Sequence, residues 1–198
     1  MNEDLIQKFG FSEMYEWSQT PDASNRHGRF VQFDPEYPDK IKLCSDFKNI
    51  VGVSTINSLI VSDNPEEWCG KNLFNEYGDA FLQVETLSVG EQVYDQENEM
   101  AYIKTRKWQH YIPVQNPKFD NTKEYAKRTN RYEWIRVNIL GKCIVEDDGN
   151  CKPGEYCTLY KGKVKAKQGT VKPASEKSEI KFYVLKRVSP KTVMILYK

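Results

Sequence analysis

Apolar and polar residues alternate along Arg29-Phe30-Val31-Gln32-Phe33 and again along Lys40-Ile41-Lys42-Leu43-Cys44. Successive side chains of a strand point to opposite faces, so this period of two predicts a pair of half-buried strands. Between them, Pro35 and Pro38 cannot donate to a ladder, and a hairpin with an irregular loop over Asp34 to Asp39 is expected. Ile50-Val51-Gly52-Val53 is nearly continuous in apolar character and reads as a buried strand, with Gly52 marking a bulge or the close approach of another backbone. Apolar positions from Phe81 to Val93, and from Tyr102 to Val114, predict further strands on either side of an acidic loop, Tyr94 to Glu99. Val137 to Val145 is a strand, and the Asp148-Gly149 turn signal lets Tyr156 to Tyr160 return as its partner. Tyr183 to Val188 and Thr192 to Tyr197 make a last hairpin around Ser189-Pro190-Lys191, tying the C-terminus into the core.

Helical signals are short. Glu3 to Lys8 can form a turn or two behind Asn2 as a cap, and Asn64-Pro65-Glu66-Glu67 can open another, because asparagine caps and proline tolerates the first helical position. Asn116 to Arg131 is polar, carries Pro117, and reads as an extended surface arm. The basic run Lys161 to Gly169 lacks interleaved aromatics, so a solvated edge strand is preferred over a polyanion site. Lys172 to Ser178 reads as a loop. The fold class is therefore mainly β, a β-rich α+β single domain with short helices and that arm. It divides into a short segment, residues 1–9, and one β domain over residues 10–198.

Composition narrows the function. Twenty-nine lysines and arginines oppose 28 acids, and a formal charge of +1 predicts no bulk attraction to nucleic acid or to an anionic membrane. No run approaches the length of a membrane span, and the start MNEDLIQKFGF lacks the pattern of a signal peptide. The five cysteines, Cys44, Cys69, Cys143, Cys151 and Cys157, show no CxxC spacing and read as free thiols, although Cys151 and Cys157 could pair or join a site with His27. No metal and no cofactor is expected, for neither a Walker loop nor GxGxxG occurs. His27 and His110 are the only histidines; His27 could serve Ser54 or Cys69 as a base, but a loop role fits its neighbours Asn25, Arg26 and Gly28.

One further pattern concerns the order of blocks. Residues 124 to 157 run through Glu133-Trp134, Val137, Ile139, Gly141, Lys142, Ile144 and Val145, then Glu146-Asp147-Asp148-Gly149, and end with Gly154 and Cys157. Ahead of them stand Phe11-Ser12-Glu13-Met14-Tyr15-Glu16-Trp17, the block Asn25, Arg26, Gly28, Phe30 and Val31, then Ile50 to Ser54, Trp68-Cys69-Gly70-Lys71 and Glu76-Tyr77-Gly78. This order resembles the C-terminal intramolecular chaperone and auto-proteolytic cleavage domain, of glutamic-peptidase type, found in phage tail-spike and neck-appendage proteins.

The resemblance implies a self-cutting chaperone made in the host cytoplasm and assembled with other virion proteins, with a homotrimer as the family's state. It puts the catalytic acid on Glu13, with Glu16 as the second candidate, one carboxylate ionised to activate water and another acid to protonate the leaving amide. Gly10 stands where the family has the aspartate at the cut, and only nine residues precede it, so a free-standing virion structural protein is expected over an active self-cleaving one. Read without the resemblance, Glu13 and Glu16 are two acids on one face of a strand or turn, solvated or paired with a cation, and Asp147-Asp148 are turn residues.

Overall fold

Regular structure among the described residues is almost entirely strand: β1 (Phe11–Trp17), β2 (Phe30–Asp34), β3 (Tyr37–Leu43), β4 (Ile50–Thr55), β5 (Ile60–Ser62), β6 (Leu82–Asp95), β7 (Met100–Pro113), β8 (Trp134–Glu146), β9 (Tyr156–Leu159), β10 (Val171–Pro173), β11 (Phe182–Ser189) and β12 (Thr192–Tyr197). The computed structural model describes residues 10–23, 26–95, 97, 100–122, 124–161 and 164–198. The helix expected over Glu3 to Lys8 and the tip of the acidic loop lie outside them. Contacts group the chain into two units, one of residues up to Pro65 with Ala126–Lys198, the other Glu66–Tyr125. Composition carries no sign of that division.

In the first unit, β8 serves two sheets. Its leading half pairs with β1 (Glu13↔Val137, Glu16↔Trp134) and with β4 (Val53↔Asn138), and its trailing half pairs with β12 (Val193↔Val145). Because β4 pairs β2, β2 pairs β3 and β3 pairs β1, five strands close on themselves around a core of Trp17, Val31, Ile41, Ile135 and Val137. Closure removes the unpaired edges that an open sheet would present. The second layer, β12, β11, β9 and β10, covers a larger core in which Phe30 stacks on Phe182 at 4.7 Å. Alternation along β2 sends Phe30 to one core and Val31 to the other.

Gly52 does both things its place in an apolar strand suggests. The β2–β4 register shifts beside it, so that Val51 packs on the barrel core while Val53, of the same parity, enters the larger one. A Cβ at residue 52 would lie 2.2 Å from the Asn138 carbonyl oxygen. Gly141, with φ +100°, marks the place where β8 passes from barrel to outer sheet.

Four local expectations are corrected. The β2–β3 turn is tighter than the prolines suggested, with Asp34 opposite Tyr37; Pro38 lies beyond the β1 partners of β3, where its missing N–H is not needed. No helix forms at Asn64 to Glu67, and the Asn64 Oδ1 caps nothing. The basic run holds a 3-10 turn, Lys165–Lys167, because the Arg29 guanidinium draws in the carbonyls of Ala166 and Gln168 at 2.8 and 3.0 Å. Finally, Tyr156–Leu159 pairs with β10 and β11, since both edges of β8 are already taken.

The second unit is built on the β6–β7 hairpin, whose register runs without a shift from Leu82↔Pro113 to Asp95↔Met100. Val84, Leu87, Val89, Ile103, Trp108 and Tyr111 are all exposed on it. Among its described residues the Asn116 to Arg131 stretch forms no strand. Asn116 is tied to this unit through the Gly70 and Lys71 carbonyls, and Arg128 stacks over Trp134 of the first.

Replacing Gly52 by alanine is expected to destabilise the first unit by roughly 1–3 kcal/mol, because the added methyl meets backbone that cannot rotate away. Gly78→Ala, where nothing lies within 4 Å, meets only the cost of its own φ of +87°, a strain that residue 52 does not carry. Denaturant melts of both variants check the difference.

Candidate functional site

β1 carries both acids to which the resemblance points, and its geometry separates them. Residues three apart on a strand face opposite sides and stand about 10 Å apart along it. Glu13 and Glu16 therefore do not share a face. Glu16 is paired with Lys40 at 2.6 Å, part-exposed, and this contact raises the lysine pKa. Glu13 Oε2 accepts a hydrogen bond from the Tyr15 hydroxyl at 2.8 Å, and Tyr15 packs edge-on against Phe33.

Burial, the Glu13 hydrogen bond and charge, and the Asp63 carboxylate together push the Tyr15 phenol up to about 12. Asp63 follows β5, whose Ser62 is the register partner of Glu13. It adopts a left-handed φ of 52° and forms an ion pair with Arg128. The second carboxylate near the Tyr15 hydroxyl is thus Asp63, and nothing local in the sequence singles it out, because only the parallel β1–β5 pairing brings it there. Ser12 was equally hidden: its hydroxyl is buried and donates to Ser58 Oγ at 2.6 Å.

Gly10 is held in a tight cradle. Its φ is +72°, and a Cβ there would stand 2.3 Å from Asn138 Oδ1, 2.5 Å from Nδ2 and 2.7 Å from the Leu140 carbonyl oxygen. An aspartate does not fit without moving β8. The Gly10 carbonyl accepts from the Leu59 and Ile60 N–H groups at 3.2 and 3.4 Å, which fixes the entry to β1. Asn138 itself is buried, donating Nδ2 to the Lys142 carbonyl at 2.8 Å.

The other candidates fall into structural roles. Ser54 is buried, and its hydroxyl donates to the Arg29 carbonyl at 3.1 Å, while Cys69 is an exposed thiol of the second unit. His110 pairs across the hairpin with Glu85 at 3.1 Å. Asp147 is buried and takes both amino groups of Arg187, at 3.2 and 2.9 Å, plus the Cys151 N–H. Asp147, Asp148 and Cys151 bring potential ligand atoms within 4.8 Å of one another, yet the guanidinium already neutralises Asp147. All five cysteines are free, and burial pushes the thiols of Cys44 and Cys143 up.

Comparison with known proteins agrees with this architecture. The chain is 29% identical over 117 residues to the preneck appendage protein of Bacillus phage PZA and 28% identical over 124 residues to the pre-neck appendage protein of Bacillus phage B103. Those matches cover 59% and 62% of this chain but only 12% of each relative. The crystal structure of the C-terminal fragment of bacteriophage phi29 gene product 12 superposes with a TM-score of 0.60 at 23% identity, covering 95% of this chain and 99% of that one. The pre-mature phi29 gene product 12 gives 0.62 at 21% identity, covering all of this chain and 23% of that one, and both share the fold. A family model described as Peptidase_G2, IMC autoproteolytic cleavage domain, matches residues 6–183. With most of its length accounted for in this way, the chain belongs to the Peptidase_G2 family of IMC autoproteolytic cleavage domains.

Proposed function

We propose that this chain is a structural and assembly protein of a phage particle, a minor capsid or appendage component built on the auto-processing domain, and that it binds neighbouring virion proteins. The observation that carries this reading is the β6–β7 ribbon. A two-stranded hairpin is at best marginally stable alone in water, and this one exposes Leu87 opposite Trp108 and Val84 opposite Tyr111. Such a surface is suited to lie on another protein. The appendage relatives supply the kind of particle, and a homotrimer is the assembly that the reading favours.

The Gly10 cradle supports a structural over a self-cutting role, since the family's aspartate has no room there. A second reading, self-cleavage between Phe9 and Gly10 by Glu13, is favoured by one contact. The Glu13 carboxylate accepts a hydrogen bond from a phenol whose raised pKa keeps its proton at neutral pH, with Asp63 close by.

Intact mass of the purified protein beside Glu13→Gln separates the two. The structural reading expects full length in both; loss of the residues before Gly10 that the variant abolishes establishes the second. A Leu87→Ser, Trp108→Ser double variant is expected to keep the fold, changing stability by about 0.5 kcal/mol or less, because both side chains are exposed. It is expected to lose co-assembly with the particle, read by sedimentation of assembled virions. The tyrosine also has a pH signature. Its phenol loses a proton near 10 when unfolded and near 12 when folded, so the native state binds that proton more tightly and stability falls as pH rises between those values. Tyr15→Phe is expected to flatten this part of the slope in urea melts.

A further inference from the structure

The first unit contains a cavity of about 200 Å³ whose polar lining is made of donors. Arg26, His27, Thr55, Thr129, Trp134 and Arg136 surround it, and no acid among the described residues does. Two of these donors are buried and unsatisfied. Arg26 is 8% exposed; its Nη2 donates to the Trp134 carbonyl at 2.6 Å, but Nη1 has no partner. The indole Nε1 of Trp134 has none either. A buried donor without an acceptor typically costs about 1–3 kcal/mol, more when charged, so two at one cavity call for an acceptor.

Charge identifies its class. The neighbouring acids are already engaged: Glu133, which also feels the charge of Arg26, accepts from Arg131 at 2.7 Å, and Glu16, opposite Trp134 in the β1–β8 register, pairs with Lys40. Arg136 donates only to a neutral carbonyl, that of Ile56, at 2.8 Å. The His27 pKa is lowered, by partial burial and by Arg26, which keeps the ring neutral at pH 7. The lining thus carries two guanidinium charges with no carboxylate among them. Arg26 is also stacked over the Tyr132 ring at 4.3 Å, which sets its plane, and a guanidinium so held offers fixed N–H directions.

We infer that this cavity is a phosphate site, in which Arg26 Nη1, the Trp134 indole N–H and Arg136 take the oxygens of one dianionic phosphate. A carboxylate satisfies the same donors but balances only one of the two charges. The site is independent of Glu13 and of the hairpin. Met14, which also lines the cavity, lies on β1 opposite Arg136, so an anion here would brace the strand that carries both acids.

The test is a titration of nitrogen-15-labelled protein with inorganic phosphate at pH 7 and constant ionic strength, with acetate and chloride in parallel. The four tryptophans give four indole N–H signals, and Trp134→Phe assigns the relevant one. Phosphate is expected to move that signal saturably and to raise the melting temperature. Arg26→Lys and Arg136→Gln are each expected to weaken binding about tenfold or more, as loss of a charge-assisted hydrogen bond does. Arg136 is more exposed than Arg26, so its variant keeps the test valid if Arg26→Lys unfolds. A Trp134 signal that does not respond, or that moves equally with chloride, overturns the inference. An equal response to acetate overturns the phosphate assignment.

Discussion

Everything in the first unit depends on how closely another backbone can approach β8. The Asn138 carbonyl occupies the space where residue 52 would carry a Cβ, and the Asn138 side chain occupies the corresponding space at residue 10. One residue of one strand therefore demands glycine at two distant positions. Those two approaches let the leading half of β8 bond to β1 and β4 together, which closes the barrel and leaves the trailing half free for β12. With bulkier residues the strands would be pushed apart, and the two cores would lose the wall they share.

Much of this was legible in the chain because strand periodicity is a local signal. The alternation at Phe30 to Phe33 reports two cores directly, and the hairpin of β11 and β12 stands where its turn residues put it. Gly52 was readable as a bulge for the same reason. What stayed hidden is what depends on pairing at long range. Tyr156–Leu159 carries a strand pattern but no statement of its partner, and it joins β10 and β11 because β8 is already saturated.

The site follows the same division. Glu13 could be found from a residue pattern, and so could Glu16, but their separation onto opposite faces appears only once the segment is known to be a strand rather than a helical turn. Tyr15, two residues from Glu13, sits on the same face as a consequence of that assignment, whereas Asp63 arrives through the parallel β1–β5 pairing. The acid nearest to Glu13 in sequence, Glu16, thus faces the other side of β1, and the carboxylate that acts on Tyr15 beside Glu13 is Asp63.

The second unit enters the chain between β5 and β8 and returns to the first unit at Ala126. For a flexible connection, the entropy of closing such a loop grows only with the logarithm of its length, about 0.6 kcal/mol for each doubling. The barrel is therefore almost indifferent to how much chain is inserted there. Evolution can lengthen, shorten or exchange the ribbon to suit a new neighbour while the five closing strands stay under unchanged selection.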